Sequence, residues 1–263
     1  MVAPKALILT GYGINCDYET QHAFNAAGAR AERVHLNDII AGVKNVADYQ
    51  ILAFPGGFSF GDDIASGKVL ANKFKYNLSE DLQKFISDGK LVIGICNGFQ
   101  AMVKLGILPG FDRNYRSQQV TLTFNDSGRF EDRWVYLKIN SNSACIFTKG
   151  IKSLYLPVRH GEGKFISKNE AVKKRLRESH HIVAQYVNEL GEPAEYPMNP
   201  NGSEDGIAAI CDETGRIFGL MPHPEAFIHK TNHPRWTREQ LNEEGMGMQV
   251  FRNAVDYAEK KLV

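Results

Sequence analysis

Short apolar runs alternate with amphipathic stretches over the first hundred residues. ALIL (6–9) predicts a strand that leads into the turn GYGIN. Residues 17–29 carry apolar positions at helical spacing, with Asn15 or Asp17 as cap and Gly28 as stop. VHL (34–36) and YQILAFPGG (49–57) predict two more strands, the latter broken at Pro55-Gly56-Gly57. Residues 71–89 predict a helix ending at Gly89, LVIGI (91–95) a strand, and FQAMVKLGIL (99–108) a further helix. Apolar strands alternating with amphipathic helices predict an α/β fold with a mostly parallel sheet covered on both faces.

The pattern then changes. QVTLTF (119–124), RWVYLKI (133–139) and SLYLPV (153–158) alternate apolar and polar positions, which predicts antiparallel strands added at the sheet edge. Residues 170–187 begin as a charged helix and end as a strand. GIAAICDETGRIFGLMPHPE (206–225) predicts two strands about an Asp-Glu-Thr-Gly turn, and residues 248–262 a closing helix. No linker, repeat or low-complexity tract interrupts the chain, so one domain over 1–263 is expected.

Composition narrows the function. With 43% hydrophobic residues, 23% charged residues and a net charge of +1, nothing favours nucleic acid or an anionic membrane as partner. No apolar run reaches the ~18 residues of a membrane span, and the N-terminus lacks a signal peptide's apolar region, so a cytoplasmic protein is expected. The four cysteines form no CxxC pair, so neither a metal site nor a disulfide framework is expected.

One cysteine stands apart. Gly94-Ile95-Cys96-Asn97-Gly98 has the nucleophile-elbow pattern with Cys in place of Ser. The glycines suit a strand that turns abruptly into a helix, and unpaired amides at the helix start favour a thiolate. The N–H of Asn97 is then one donor to an oxyanion, and Gln100 lies one helical turn beyond Cys96. Read alone, the motif also fits a buried cysteine at a glycine-rich strand end. Cys16 lacks the paired glycines and reads as structural.

A thiol nucleophile needs a base held by a third group. Among eight histidines, His223 follows the apolar run IFGLM, and Pro224 forces it to be extended, so it should emerge beside Glu225. His180 and His181 read as solvated, and His229 and His233 as members of a polar loop. Pro55-Gly56-Gly57 exposes backbone amides at another strand end, and the N–H of Gly57 is the expected second oxyanion donor. The neighbouring GDDIASGKV fails the phosphate-loop pattern in spacing and in Val69, so no ATP site is expected in this chain.

These motifs together resemble the class I, triad-type glutamine amidotransferases, and among them the glutaminase subunits of purine biosynthesis. GYGINCD, PGGFSFGDDIASG, GICNGFQ, LTFNDSGRFEDRW, PVRHGEGKF, NPNGSEDGIAAI and GLMPHPE occur in that family's order. Ala226 departs from the family's usual basic residue after the Glu, and the 226–245 tail is longer than in compact members. The resemblance implies a flavodoxin-like fold, nucleophile Cys96, base and acid His223, orienter Glu225, oxyanion donors Gly57 and Asn97, and glutamine-pocket residues Gln100 and Phe58. Asn125, Arg129, His160 and Glu162 would shape the pocket or meet a partner.

The implied task is release of ammonia from glutamine for a large ATP- and Mg-dependent synthetase subunit, with a small bridging subunit. Together these would convert formylglycinamide ribonucleotide to formylglycinamidine ribonucleotide. The residues also fit a stand-alone cysteine hydrolase, such as a peptidase or γ-glutamyl hydrolase, or a non-catalytic regulatory subunit. Intact Cys96, His223 and Glu225 argue against the last.

Overall fold

The computed structural model describes residues 2–263. In chain order the first half comprises β1 (Lys5–Thr10), α1 (Asp17–Ala26), β2 (Arg30–His35), α2 (Leu36–Ile40), β3 (Ile51–Phe54), α3 (Lys68–Asn77), α4 (Ser79–Ser87), β4 (Leu91–Ile95) and α5 (Asn97–Leu105). The second half adds β5 (Val120–Thr123), β6 (Glu131–Ile139), β7 (Ser153–His160), β8 (Lys164–Ser167), α6 (Glu170–Glu178), β9 (Ile182–Val187), β10 (Ile207–Cys211), β11 (Ile217–Leu220) and α7 (Met248–Lys261).

Nine strands form one sheet in the order β2-β1-β3-β4-β11-β10-β9-β6-β7. The five from β2 to β11 are parallel, and the four from β10 to β7 run antiparallel to their neighbours. β4 sits between two parallel neighbours and all its residues are buried, which explains why its sequence is continuously apolar rather than alternating. Adjacent residues of β11 show how both faces are covered. Phe218 stacks on Phe147, whose carbonyl accepts from Asn253 of α7, whereas an added Cβ on Gly219 would meet the Phe99 ring of α5. Neighbouring strand positions point to opposite faces, so α5 and α7 lie on opposite sides of the sheet. The mixed α/β architecture with antiparallel edge strands is the one the pattern predicts.

Four details differ. The helix expected over 71–89 is two helices, α3 and α4, broken at Leu78. α1 begins after Cys16, with no side-chain cap from Asn15 or Asp17. The first alternating strand, β5, is not on the main sheet; it pairs with β8, which the pattern missed, in a separate two-stranded sheet. Alternation fixes that a strand has two faces, not which partner it finds. Finally, two histidines assigned to solvent or to a polar loop are buried: His181 packs edge-on against Phe111, and His233 sits among Trp134, Tyr155 and Phe227.

Candidate active site

β4 ends in a sharp turn that only small flanking residues permit. A Cβ on Gly94 would lie 2.3 Å from the Met102 sulfur, and one on Gly98 would lie 1.8 Å from the Phe54 carbonyl oxygen. Cys96 between them adopts φ 50° and ψ −106°, a region a side-chain-bearing residue rarely enters. Its N–H donates to Leu220 O at 2.8 Å, which pins the strained residue to β11. The elbow therefore forms as expected, with its thiol buried and 3.5 Å from the Arg159 carbonyl oxygen of β7.

The imidazole arrives from β11. His223 is extended and its N–H donates to Pro157 O at 2.9 Å, while Pro224 opens a single 3-10 turn that contains Glu225. The pair is adjacent, but through this turn rather than through a continued strand. His223 Nδ1 lies 2.6 Å from Glu225 Oε1, and both side chains are almost fully buried. Burial disfavours the charged ring, but Glu225 and then the Cys96 and Cys16 thiols outweigh it, and the His223 pKa lies well above its ordinary value. Nε2 has no hydrogen-bond partner within bonding distance among the described residues, although the Cys96 thiol lies close enough to help raise the ring's pKa. Such contacts are often loose before substrate binds.

Cys16, which the sequence reads as structural, lies beside the His223–Glu225 pair. Its N–H donates to Gly56 O, and its thiol approaches that pair: Cys16, His223 and Glu225 each bring one ligand-type atom within 4.8 Å of the others. Burial raises its pKa. The placement depends on the Ile14–Gly57 bridge between the loops after β1 and β3, a pairing that no local pattern reveals.

The loop after β3 forms the opposite wall. Gly57 takes φ 146°, and a Cβ there would lie 2.6 Å from Gly13 O, so glycine is needed on two counts. Phe58 N donates to Gly13 O and Cys16 N to Gly56 O, which leaves the Gly57 N–H outside that pairing. Asn97 occupies the first position of α5, where helix geometry gives its N–H no acceptor. Its side chain accepts from Ser59 N at 3.1 Å and donates to Asp62 Oδ1 and Gln100 Oε1, each at 3.0 Å. Asp62 also accepts from Gly67 N and Ser66 Oγ, and Lys104 Nζ donates to Ser66 O. Burial pushes the Asp62 pKa up and the Lys104 pKa down.

The remaining expected pocket residues divide. Gln100 is buried with its oxygen on Asn97 and its Nε2 donating to Glu162 O, so its amide braces the wall rather than lying open. Phe58 is exposed beside Phe130, with ring centroids 6.2 Å apart. Glu162 also accepts from Ser66 N. Asn125 and His160 are buried together behind the site: Asn125 donates to the Arg129 and His160 carbonyls and accepts from Gly163 N. Burial and the charge of His223 hold the His160 pKa down at about 3. Arg129 itself is exposed at the rim. A separate surface cavity of about 900 Å³, lined by Cys145, Lys149, Asn253 and Tyr257, includes none of these groups.

A thiol on an elbow, an imidazole–carboxylate pair and two free amides form the equipment for acyl transfer from an amide. Residues 3–258 match the CobB/CobQ-like glutamine amidotransferase domain. The chain belongs to this amidotransferase family. It is similar to the phosphoribosylformylglycinamidine synthase subunit PurQ of Dehalococcoides mccartyi, at 51% identity over 97% of each chain. It is 48% identical to the subunit of the same name from Methanococcus maripaludis, over 98% of this chain and 99% of that one. Among solved structures, a chain of PurLQS from Thermotoga maritima superposes with a TM-score of 0.72 at 28% identity, covering 97% of this chain and 99% of that chain. A chain named as a GMP synthase component from Thermoplasma acidophilum shares the fold, with a TM-score of 0.56 at 13% identity over 99% and 96% of the two chains.

Proposed function

We propose that this chain is the glutaminase subunit of phosphoribosylformylglycinamidine synthase. The observation that carries the reading is the Cys96 elbow set beside the buried His223–Glu225 pair, in a chain aligned end to end with relatives of that name. In this reading the Cys96 thiolate attacks the side-chain carboxamide of glutamine. The Gly57 and Asn97 amides receive the oxyanion. His223, whose raised pKa favours its protonated form, gives that proton to the departing nitrogen, and the C–N bond breaks to leave a glutamyl thioester and ammonia. Water, losing a proton to the same ring, cleaves the thioester. Glutamate leaves and the starting protonation is restored.

Ammonia protonates in neutral water and ceases to be a nucleophile, so it is useful only if passed directly to an acceptor. The chain presents no phosphate-loop pattern, and the activation of formylglycinamide ribonucleotide with ATP and Mg falls to a large synthetase subunit, with a small bridging subunit. The neighbouring structure's name, PurLQS, supports such an assembly. A stand-alone hydrolase finds no favour among the named relatives. Glutamate release, measured alone and after mixing with the synthetase and bridging subunits, tests the proposal. A large rise on mixing, coupled to formylglycinamidine ribonucleotide formation, is expected; partner-independent peptidase turnover would overturn it.

A further inference from the structure

The triad explains one thiol at the imidazole, yet two are there. Cys16 Sγ, one ring nitrogen of His223 and one carboxylate oxygen of Glu225 all lie within 4.8 Å of one another. Thiolate, imidazole and carboxylate are the donor types that zinc takes, and three protein ligands leave one position open for water. With metal–ligand bonds of about 2.0–2.3 Å, tetrahedral geometry places ligand atoms about 3.5 Å apart, so closing the cluster takes side-chain shifts of about 1 Å. A second observation points the same way. Glu225 Oε2, on the Nδ1 side of the ring, is buried and has no hydrogen-bond partner among the described residues. A buried carboxylate oxygen with no donor is a natural cation ligand.

We propose that Cys16, His223 and Glu225 bind a zinc-class divalent cation, and that the bound metal silences the active site. Coordination displaces two protons, the one on the Cys16 thiol and the one His223 Nδ1 shares with Glu225; both pass to solvent, and the metal takes the freed lone pairs on sulfur, imidazole and carboxylate. Neither redox chemistry nor any change to Cys96 is involved. Binding rests on the geometry alone; its consequence for catalysis rests on the glutaminase reading. The set also stands without the nucleophile, which separates it from the familiar poisoning of a catalytic thiol.

Co²⁺ serves as a probe because a thiolate ligand gives it a charge-transfer absorption band. The Cys96→Ser protein is expected to bind one Co²⁺ with that band, displaced by Zn²⁺, and Cys16→Ser is expected to lose it. In the Cys96→Ser protein, Zn²⁺ should also protect Cys16 from alkylation, which reads the site with Cys16 intact. In the glutaminase assay with the full complex, Zn²⁺ should inhibit the natural chain reversibly on chelation. Cys16→Ser should need about 100-fold more metal or beyond. A band that survives Cys16→Ser, or one that disappears with Cys96→Ser, overturns the proposal. Absent glutaminase activity with intact Co²⁺ binding overturns the functional reading and leaves the metal site standing.

Discussion

The side-chain oxygen of Asn97 accepts the backbone N–H of Ser59 at 3.1 Å, so the residue after the nucleophile is tied to the loop that carries Gly57. Its amide nitrogen holds Asp62 of the same loop. One side chain thus sets the spacing between the two expected oxyanion amides. Removing a direct oxyanion donor lowers kcat by about 100- to 1,000-fold. Asn97→Ala keeps both backbone amides and loses only their spacing, so a smaller loss of about 10- to 100-fold is expected, mainly in kcat. Steady-state glutaminase kinetics check this; an unchanged kcat would mean that the loop holds its position without the tie.

Glu225→Gln preserves size and removes the charge opposite His223 Nδ1. Loss of the carboxylate that fixes a catalytic imidazole lowers turnover by about 10⁴-fold in the best-studied triad, and a fall of that order is expected here. The same change should lower the His223 pKa, because Glu225 is the leading influence that raises it against burial. NMR titration of the His223 ring reads that shift. A titration curve that does not move toward lower pH in the variant would detach Glu225 from the ring.

The elbow and the His223–Glu225 pair were legible because each is local: a few consecutive residues carry the turn, the glycines and the proline. Cys16 was not, since its approach to His223 passes through the Ile14–Gly57 bridge and the spatial order of β1, β3 and β11. Gln100 was placed correctly on the elbow's helix, but what its amide does depends on Glu162, sixty-two positions away in sequence. β5 read correctly as a strand, and its sheet was misjudged for the same reason. Periodicity reports burial; it does not report partners.

Gly98 offers a stability test of the elbow. An added Cβ would fall 1.8 Å from Phe54 O, and the obstacle is backbone in a buried parallel strand, not a side chain that can swing away. Overpacking of this kind ordinarily costs about 1–3 kcal/mol and more where nothing yields. Gly98→Ala is therefore expected to lose at least about 3 kcal/mol, read by urea unfolding. Gly128→Ala, where a Cβ meets nothing within 4 Å, is the comparison, although its φ of 63° brings a small penalty of its own.

His160 makes stability depend on pH in a definite direction. Its pKa is about 3 in the folded protein against an ordinary 6.5, because the ring is buried and faces the charge of His223. Below pH 6.5 the unfolded chain takes up a proton that the folded chain refuses. The contribution is thus fully present above pH 6.5 and declines as pH falls toward 3. Between pH 7 and pH 5 the loss from this group amounts to about 2 kcal/mol. His160→Gln keeps a donor for Asn125 Oδ1 and cannot titrate. The variant is expected to start less stable at pH 7 but to lose about 2 kcal/mol less than the natural chain on moving to pH 5. Urea unfolding of both proteins at the two pH values measures the difference. Equal losses would show that the buried ring accepts its proton without disturbing the Asn125 network.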